Sequence, residues 1–529
     1  MLLSLVMLVA LVAGCGQAQN GDTTATTAAP TVTAGSTAAE SEPAVQTDKV
    51  TTLDVFIDQN WWPVKEFKGI IPEEITKKIG VAINLTVAAD ANQLGVMIAS
   101  AELPDMVVAA DGAGNLDRLS NANLCIDYDS LFSQTGVPFV MDDTRKNIAK
   151  SYSTDGKYYM ILSQFGTTDE VQASPIGAPG QPCVFYRQDM YEKLGSPKMD
   201  TIEDFLKVCD MVKKQIPGVT PLGLGGWWKF QNFSAWLGGS GANAYQPLED
   251  GSVVYKTSSP AYKDYLKFAN TCYQKGYITA EDYAEDNEGN SHAKAYSGKF
   301  FAYPWYLDSP NLTQLQSESA KIDPNAKWTV MKPLGKATYN IWAGWLGMFV
   351  SKNCKDMNAA AKLISLLESP EGQLLSYSGR EGVDFTLDAN GIPQYTQEFL
   401  DIRKDSAKFN EVYNNWFDWG VGYVTQMKGG FSGLDQNLLD LYGAYRTGWK
   451  NYPEVAIANP KSNTDEGAIY SKLEELWKSE EAKAVFAKSD SEFETKYAEI
   501  QKVYQQNGVD TLNAYMTKTA KEVKAKFGF

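Results

Sequence analysis

Residues 53–58 read Leu-Asp-Val-Phe-Ile-Asp. They alternate apolar and polar positions and are β-branched or aromatic on the apolar side, which predicts a strand. Apolar residues then recur at Val64, Phe67, Ile70, Ile71, Ile75 and Ile79, the steps of a helical face, with a restart expected at Pro72. A second strand is predicted at 81–87, a helix over 92–101 and a third strand at 105–110. This β-α-β-α-β order implies a mostly parallel sheet covered by helices on both faces. A second mixed region starts near Pro182. It has a short strand at 184–187 and a helix through Gln215 capped by Asp200 or Thr201, with Ile202, Phe205, Val208, Cys209 and Val212 on one face. A near-continuous apolar strand is predicted at about 343–351 and an amphipathic helix at 359–367. The C-terminal third is helical, with stripes such as Phe493, Tyr497, Ile500, Val503 and Tyr504, and Leu512, Tyr515, Met516, Ala520, Val523 and Phe527. Stripes of this kind normally build core, and no internal repeat is visible.

The N-terminus reads differently. An apolar run from residue 2 to 11 ends in Val12, Ala13, Gly14 and Cys15, which resembles a bacterial lipobox. The run is too short to span a bilayer, which takes roughly 20 residues, and it is set aside as a targeting segment. The resemblance implies cleavage before Cys15, lipids on that cysteine and a chain tethered outside the cytoplasmic membrane, on a surface of Gram-positive type. No Lys or Arg precedes Cys15, so a start further upstream is expected. Residues 16–50 are rich in Thr, Ala, Ser, Gly and Pro. They bury too little apolar surface to offset ordering entropy and read as a flexible tether.

Composition narrows the function classes. The chain has 529 residues, 44% apolar and 12% aromatic, with a net charge of -16. That length exceeds one ordinary domain. The acidic balance argues against nucleic acid and against a polybasic membrane patch. With Cys15 lipidated, Cys125, Cys183, Cys209, Cys272 and Cys354 remain. They are odd in number and lack any CxxC pair, so buried free thiols are expected. His292 is the one histidine. Any catalytic triad must use it, and no His-rich metal site is possible. Its surroundings, Asp286-Asn-Glu-Gly-Asn-Ser-His292, read as a solvated polar loop. No GxxxxGK[ST] motif is present, so the chain carries no ATPase of its own.

Several phrases together resemble the extracellular solute-binding proteins of ABC sugar importers (family 1), most closely the large lipoprotein subgroup of Gram-positive bacteria. Ser100-Ala-Glu-Leu-Pro-Asp-Met106 is similar to that family's turn into the third strand. Cys183-Val-Phe-Tyr-Arg-Gln-Asp-Met-Tyr-Glu-Lys-Leu-Gly195 resembles its crossing strand and short helix. Pro197-Lys-Met-Asp-Thr-Ile-Glu-Asp-Phe205 resembles a helix start and Gly298-Lys-Phe-Phe-Ala-Tyr-Pro-Trp305 a strand. The stretch 351–372 resembles a helix pair, and Gly379-Arg-Glu-Gly382 the subgroup's turn. The order and spacing of these phrases, from about Thr51 to the C-terminus, make the resemblance specific. It implies an α/β, two-lobed periplasmic-binding-protein-like fold with hinge-crossing strands and a helical C-terminal region. Lobe 1 would hold 51–182 and about 344–400, and lobe 2 would hold 183–343 and about 401–529. Ligand would sit between lobes that close about the hinge.

The chain has 13 Trp and 28 Tyr. Sugar rings present weakly positive C–H faces to aromatic rings and hydroxyls to planar polar groups, so a sugar cleft combines both. Candidate ligand-binding residues are those that join them at strand ends and loops. Asn60, Trp61 and Trp62 follow the first strand, where open α/β sheets present ligands. Asp111 ends the third strand, although it could simply cap the next helix. Trp227 and Trp228 lie in a Gly-rich turn. Trp305 and Tyr306 end a strand where sugar-binding relatives place a stacking aromatic. Trp342 and Trp345 lie at the return crossover, Arg380 and Glu381 in the Gly-Arg-Glu-Gly turn, and Trp416 in a later cluster. Arg187 could contact ligand or form a salt bridge behind the crossing strand. In each Trp pair at least one ring should be core, because adjacent side chains diverge.

Some relatives carry an acidic calcium loop after the first crossing. Residues 213–218 lack one, and 286–290 lack the required spacing, so no metal or other cofactor is expected. No catalytic residue is assigned. The expected function is capture of a carbohydrate, an oligosaccharide, and delivery to ABC permease subunits served by a separate ATPase, by a monomer that is not an enzyme. The alternatives are a surface glycoside hydrolase, since two carboxylates suffice for that chemistry, an adhesin or sensor subunit, and a binding protein for another solute such as a peptide.

Overall fold

A computed structural model describes residues 50–110, 114–174, 181–226, 230–285, 287–307, 309–335, 339–389, 391–415, 435–446, 449–461 and 464–529. The expected signal segment 1–14, Cys15, the expected tether as far as residue 49, Asp111, Trp227, Trp228 and Trp416 lie outside the described residues.

The first half is built on β1 (Thr51–Ile57), β2 (Val81–Val87) and β3 (Met106–Ala110), with helices α1 (Ile70–Ile79) and α2 (Gln93–Ser100) between them and α3 (Asn115–Asn121) after β3. β2 and β3 both pair with β1 in parallel. The alternating strand and the all-apolar β3 are where the patterning placed them, because a central parallel strand is buried on both faces. The helix expected from residue 64 begins only at Ile70. Pro63 and Gly69, the latter at φ 114°, interrupt it, and 58–69 form turns and bends instead. The apolar residues Val64 and Phe67 still pack on the first core, but from a loop.

The second half carries β4 (Gln181–Arg187), β5 (Thr220–Leu222), the hairpin β6 (Tyr245–Pro247) and β7 (Val253–Tyr255), β8 (Phe300–Leu307) and β9 (Trp328–Val330). Its sheet runs β5-β8-β4-β9, with only β5 and β8 parallel. The helix Ile202–Gln215 is capped by Thr201, whose hydroxyl accepts from the Asp204 N–H at 3.1 Å. The chain then returns through β10 (Tyr339–Asn340) to β11 (Leu346–Val350), which joins the first sheet antiparallel to β3, giving the order β11-β3-β1-β2. Helix Met357–Leu367 comes next, capped by the Asp356 carboxylate. Later come the small pair β12 (Phe385–Leu387) and β13 (Pro393–Tyr395), then β14 (Lys450–Asn451) beside β10.

One core gathers apolar side chains from Leu53 to Phe165 and from Ala343 to Tyr413. A second and third gather those from Val171 to Leu334 and from Tyr442 to Ala520. The helices Asp465–Val485, Asp490–Gln506 and Val509–Phe527 lie on the second core through Leu473, Phe493, Ile500, Leu512 and Met516. This is a two-lobed α/β fold of the periplasmic-binding-protein type, in which the chain passes between the two sets of cores after Phe165 and again before Ala343. Cys125, Cys183, Cys209 and Cys272 are buried free thiols, and Cys354 is half-buried. Burial pushes the Cys125 thiol up to about 12, which leaves it unreactive at neutral pH.

Candidate functional site

The C-terminal ends of β1 and β3 and the N-terminal end of β11 meet at one edge of the first sheet, because Val108 lies beside Ile57 and Ala110 beside Leu346. This is the edge at which open α/β sheets bind ligands. The chain leaves β1 through Asp58, Gln59, Asn60, Trp61 and Trp62, in a turn closed by the Trp62 N–H on the Gln59 carbonyl at 3.0 Å. The two indoles diverge as adjacent side chains must. Trp62 is 2% exposed and belongs to the core, whereas Trp61 is 48% exposed. The Trp61 ring lies parallel to Trp345, with centroids 5.9 Å apart and planes within 8°, and its Nε1–H is held by the Gln59 side chain at 2.9 Å. Trp345 begins the return into β11, so the stack joins the β1 loop to a crossing segment. Asn60 is exposed beside it.

At the same edge stands Asp58. The Asn115 amide, first residue of α3, donates to its carboxylate at 2.9 Å, and Arg118 donates to the Asn115 carbonyl oxygen at 3.2 Å. Burial raises the Asp58 carboxyl to about 6 against the opposing pull of that amide. A partly desolvated carboxylate with a single amide partner at a ligand-binding edge is a typical functional signature.

The crossing segments meet close by. Ser163 exchanges backbone hydrogen bonds with Trp345 and Leu346 at 2.9 and 2.8 Å. Gly344, at φ 109°, passes so near that a Cβ there would lie 2.4 Å from Leu162 Cβ, so only glycine fits. Trp342 donates its indole N–H to the Gln164 carbonyl at 2.9 Å. Asn451 ties two of these crossing segments together. Its side-chain amide donates to the Gly166 and Trp342 carbonyls at 3.0 and 2.9 Å, its side-chain oxygen accepts from the Trp342 N–H, and its own N–H donates to Thr168 Oγ1.

The other candidates lie elsewhere. Arg187 is 2% exposed. Its guanidinium makes a bidentate pair with Asp189 at 2.7 and 2.9 Å and a further bond to Asp323 at 3.1 Å, so it is a buried salt bridge, and its strand β4, expected to cross between lobes, lies inside the second sheet between β8 and β9. Trp305 is 8% exposed, and one face is covered by His292 at 4.3 Å. Tyr306, next to it, is half-buried, and burial raises its phenol well above the usual tyrosine range. His292 does not lie in a solvated loop as its polar surroundings suggested. It sits within helix Glu288–Tyr296 and meets the Tyr303 hydroxyl at 2.9 Å, because Asn287 caps a helix through that segment. Arg380 pairs with Asp384 at 2.9 and 3.0 Å. Against the burial that raises it, Asp384 is held below its usual range by Arg380 and by the Tyr413 hydroxyl. This turn therefore braces Tyr413, and Glu381 is exposed on it.

The structure thus brings Asn60, Trp61, Trp342 and Trp345 to one region and adds Asp58, Asn115, Gln164 and Asn451, which sequence reasoning passed over. Asp58 had a visible signal: it is the polar residue that ends the first parallel strand. Among the described residues, no group of three or more His, Cys, Asp or Glu is arranged to hold a metal ion. No helix among them is long and apolar enough to cross a membrane.

No curated protein sequence matches the chain. Solved structures with the same fold include FusA, a substrate-binding protein of an S. pneumoniae ABC transporter, in complex with kestose. It shares 17% identity and a TM-score of 0.63 over 90% of this chain and 100% of that one. A solute-binding protein from Bifidobacterium longum infantis, associated with an ABC transporter and described as binding HMO, gives 14% identity and 0.63 over 90% and 99%. The alginate-binding protein AlgQ2, solved without calcium ion, gives 16% and 0.61 over 90% and 99%. The family model for bacterial extracellular solute-binding proteins matches residues 71–398, and with more than half of the chain covered the protein belongs to that family.

Proposed function

We propose that this protein captures a carbohydrate, in the form of an oligosaccharide, between its two lobes and delivers it to the permease of an ABC importer. The lobes are those built on the first core and on the second and third cores. The observation that carries the reading is the half-exposed Trp61 ring, stacked on Trp345, in the loop that leaves β1 through Asp58, whose carboxylate accepts from Asn115. An aromatic face with planar hydrogen-bonding groups next to it is what a sugar ring requires. The three similar structures, whose names refer to alginate, kestose and HMO, support a sugar over a peptide. Closure about the Asn451 junction brings the second lobe onto the bound ring.

The protein acts as a monomeric binder and catalyses no reaction. Lipids on Cys15 hold it on the outer face of the cytoplasmic membrane, and residues 16–50 give the lobes reach toward the permease. A glycan array followed by calorimetry tests the reading. Saturable binding of an oligosaccharide without hydrolysis is expected. Reducing ends released at enzymatic rates would replace the receptor by a glycoside hydrolase, and binding of peptides alone would move the substrate class.

A further inference from the structure

We propose that the carboxylate of Asp58 makes the cleft select uncharged, hydroxyl-rich glycans and reject acidic ones. This rests on the sugar reading and adds the charge class of the ligand. Two residues separate Asp58 from Trp61, so their Cα atoms lie at most about 10 Å apart, and the turn between them shortens that reach. An oligosaccharide with one ring seated on Trp61 has further rings with which to reach the Asp58 carboxylate.

Among the described residues, the surroundings of Asp58 contain little positive charge. β1 and β3 bring apolar Ile57, Val108 and Ala110. α3 brings Asn115, which donates to it, Asp117, which is paired with Lys461 at 2.6 Å, and Arg118, which is engaged by the Asn115 side chain and the Gly95 carbonyl. Residues 88–92 bring the exposed Asp90. Among the described residues, the proton affinity of Asp58 is set by burial and the Asn115 amide, with no cation contributing. An ionised carboxylate in this setting accepts hydrogen bonds from sugar O–H groups, which are charge-assisted and short. A uronate or sulfate placed about 5 Å away meets a like charge in a medium of effective dielectric about 20, which lowers its affinity for the ionised form on the order of a hundredfold. The net charge of -16 adds a long-range bias of the same sign.

The test compares neutral oligosaccharides (gluco-, manno-, galacto- and fructo-series) with acidic ones (oligogalacturonates, alginate oligomers, sialylated oligosaccharides), by calorimetry on the full chain. The tight binders are expected in the neutral set, with acidic relatives about thirtyfold weaker at pH 7.5, the limit set by protonation of a carboxyl that titrates at about 6. Asp58→Asn keeps the shape and the hydrogen bond to Asn115 while removing the charge, and it narrows that gap about tenfold or more. As a second measurement on the unaltered protein, the gap narrows about tenfold between pH 7.5 and pH 5, where Asp58 takes up its proton and uronates stay ionised. An acidic oligosaccharide bound at pH 7.5 as tightly as the best neutral one overturns the proposal and leaves sugar capture standing. So does an Asp58→Asn variant that keeps the full gap. Binding of no glycan from either set removes the sugar reading and this inference with it.

Discussion

Trp61 and Trp305 look alike in the chain and differ in the molecule. Each stands at or just past the C-terminal end of a strand, with a second aromatic beside it. Trp61 has its core neighbour, Trp62, filling the interior, so its own ring is left half in solvent and stacked on Trp345. Trp305 is itself the core residue. It packs against His292 and edge-on to Tyr303 in the third core. A large aromatic can serve as a platform only where another side chain has already filled the space beneath it. A tryptophan's place at a strand end therefore matters less than the side chains that the opposing element sets against its ring.

That contrast can be broken most forcefully at Trp305. Trp305→Ala leaves a cavity and is expected to cost about 3–5 kcal/mol of stability, read as a large drop in thermal midpoint. A midpoint near that of the unaltered protein would mean that the ring is not core.

On the Trp61 side the next largest effect is electrostatic. The folded value of Asp58, about 6, exceeds its unfolded value of about 4. The folded state holds the proton more tightly, so Asp58 carries no penalty below pH 4. The penalty grows between pH 4 and 6 and is complete above that. Asp58→Asn is therefore expected to raise stability by about 1–3 kcal/mol at pH 8 and by almost nothing at pH 4. Denaturant titrations at the two pH values check this, and an equal gain at both would remove the desolvation argument.

Trp61→Ala sharpens the comparison from the opposite direction. It is expected to lower glycan affinity by about 1–3 kcal/mol, the range for stacking of nucleobases on aromatic rings, with little change in thermal midpoint. A loss of stability matching that of Trp305→Ala would erase the distinction between the two rings. The smallest effect concerns the Lys461–Asp117 pair, which links the loop before helix Asp465–Val485 to α3. Its lysine is more than half exposed, so Lys461→Ala is expected to change stability by about 1 kcal/mol or less, measured by denaturant midpoint.

The strands at 51–57, 81–87 and 106–110 were legible because a buried parallel sheet forces apolar alternation or continuous apolar runs onto the chain. Thr201 at the head of its helix was legible for a similar reason, since a hydroxyl before a helical face has one common use. The start of α1 was not. Val64 and Phe67 keep helical spacing by chance, and Pro63 with Gly69 at positive φ decides the backbone there. His292 was misread because Asn, Glu and Gly suggest a loop until a side-chain cap at Asn287 is seen to start a helix. Arg187 was legible only as a choice between two roles, and Asp189 and Asp323 decide it.

The candidate site divides along the same line. By itself, the chain determined the lobed α/β pattern, the aromatic-rich composition that suits a sugar, and the edge of the sheet at which ligand should sit. All three come from local periodicity and residue chemistry, which short stretches of chain carry within themselves. Only the tertiary structure decided which tryptophan is half exposed and which is core, that Asn451 ties segments 166–168 and 342 together, and that Asp58 is partly desolvated beside the Asn115 amide. Those are properties of contacts between residues tens to hundreds of positions apart. Burial, stacking and proton affinity come into being only when such residues meet.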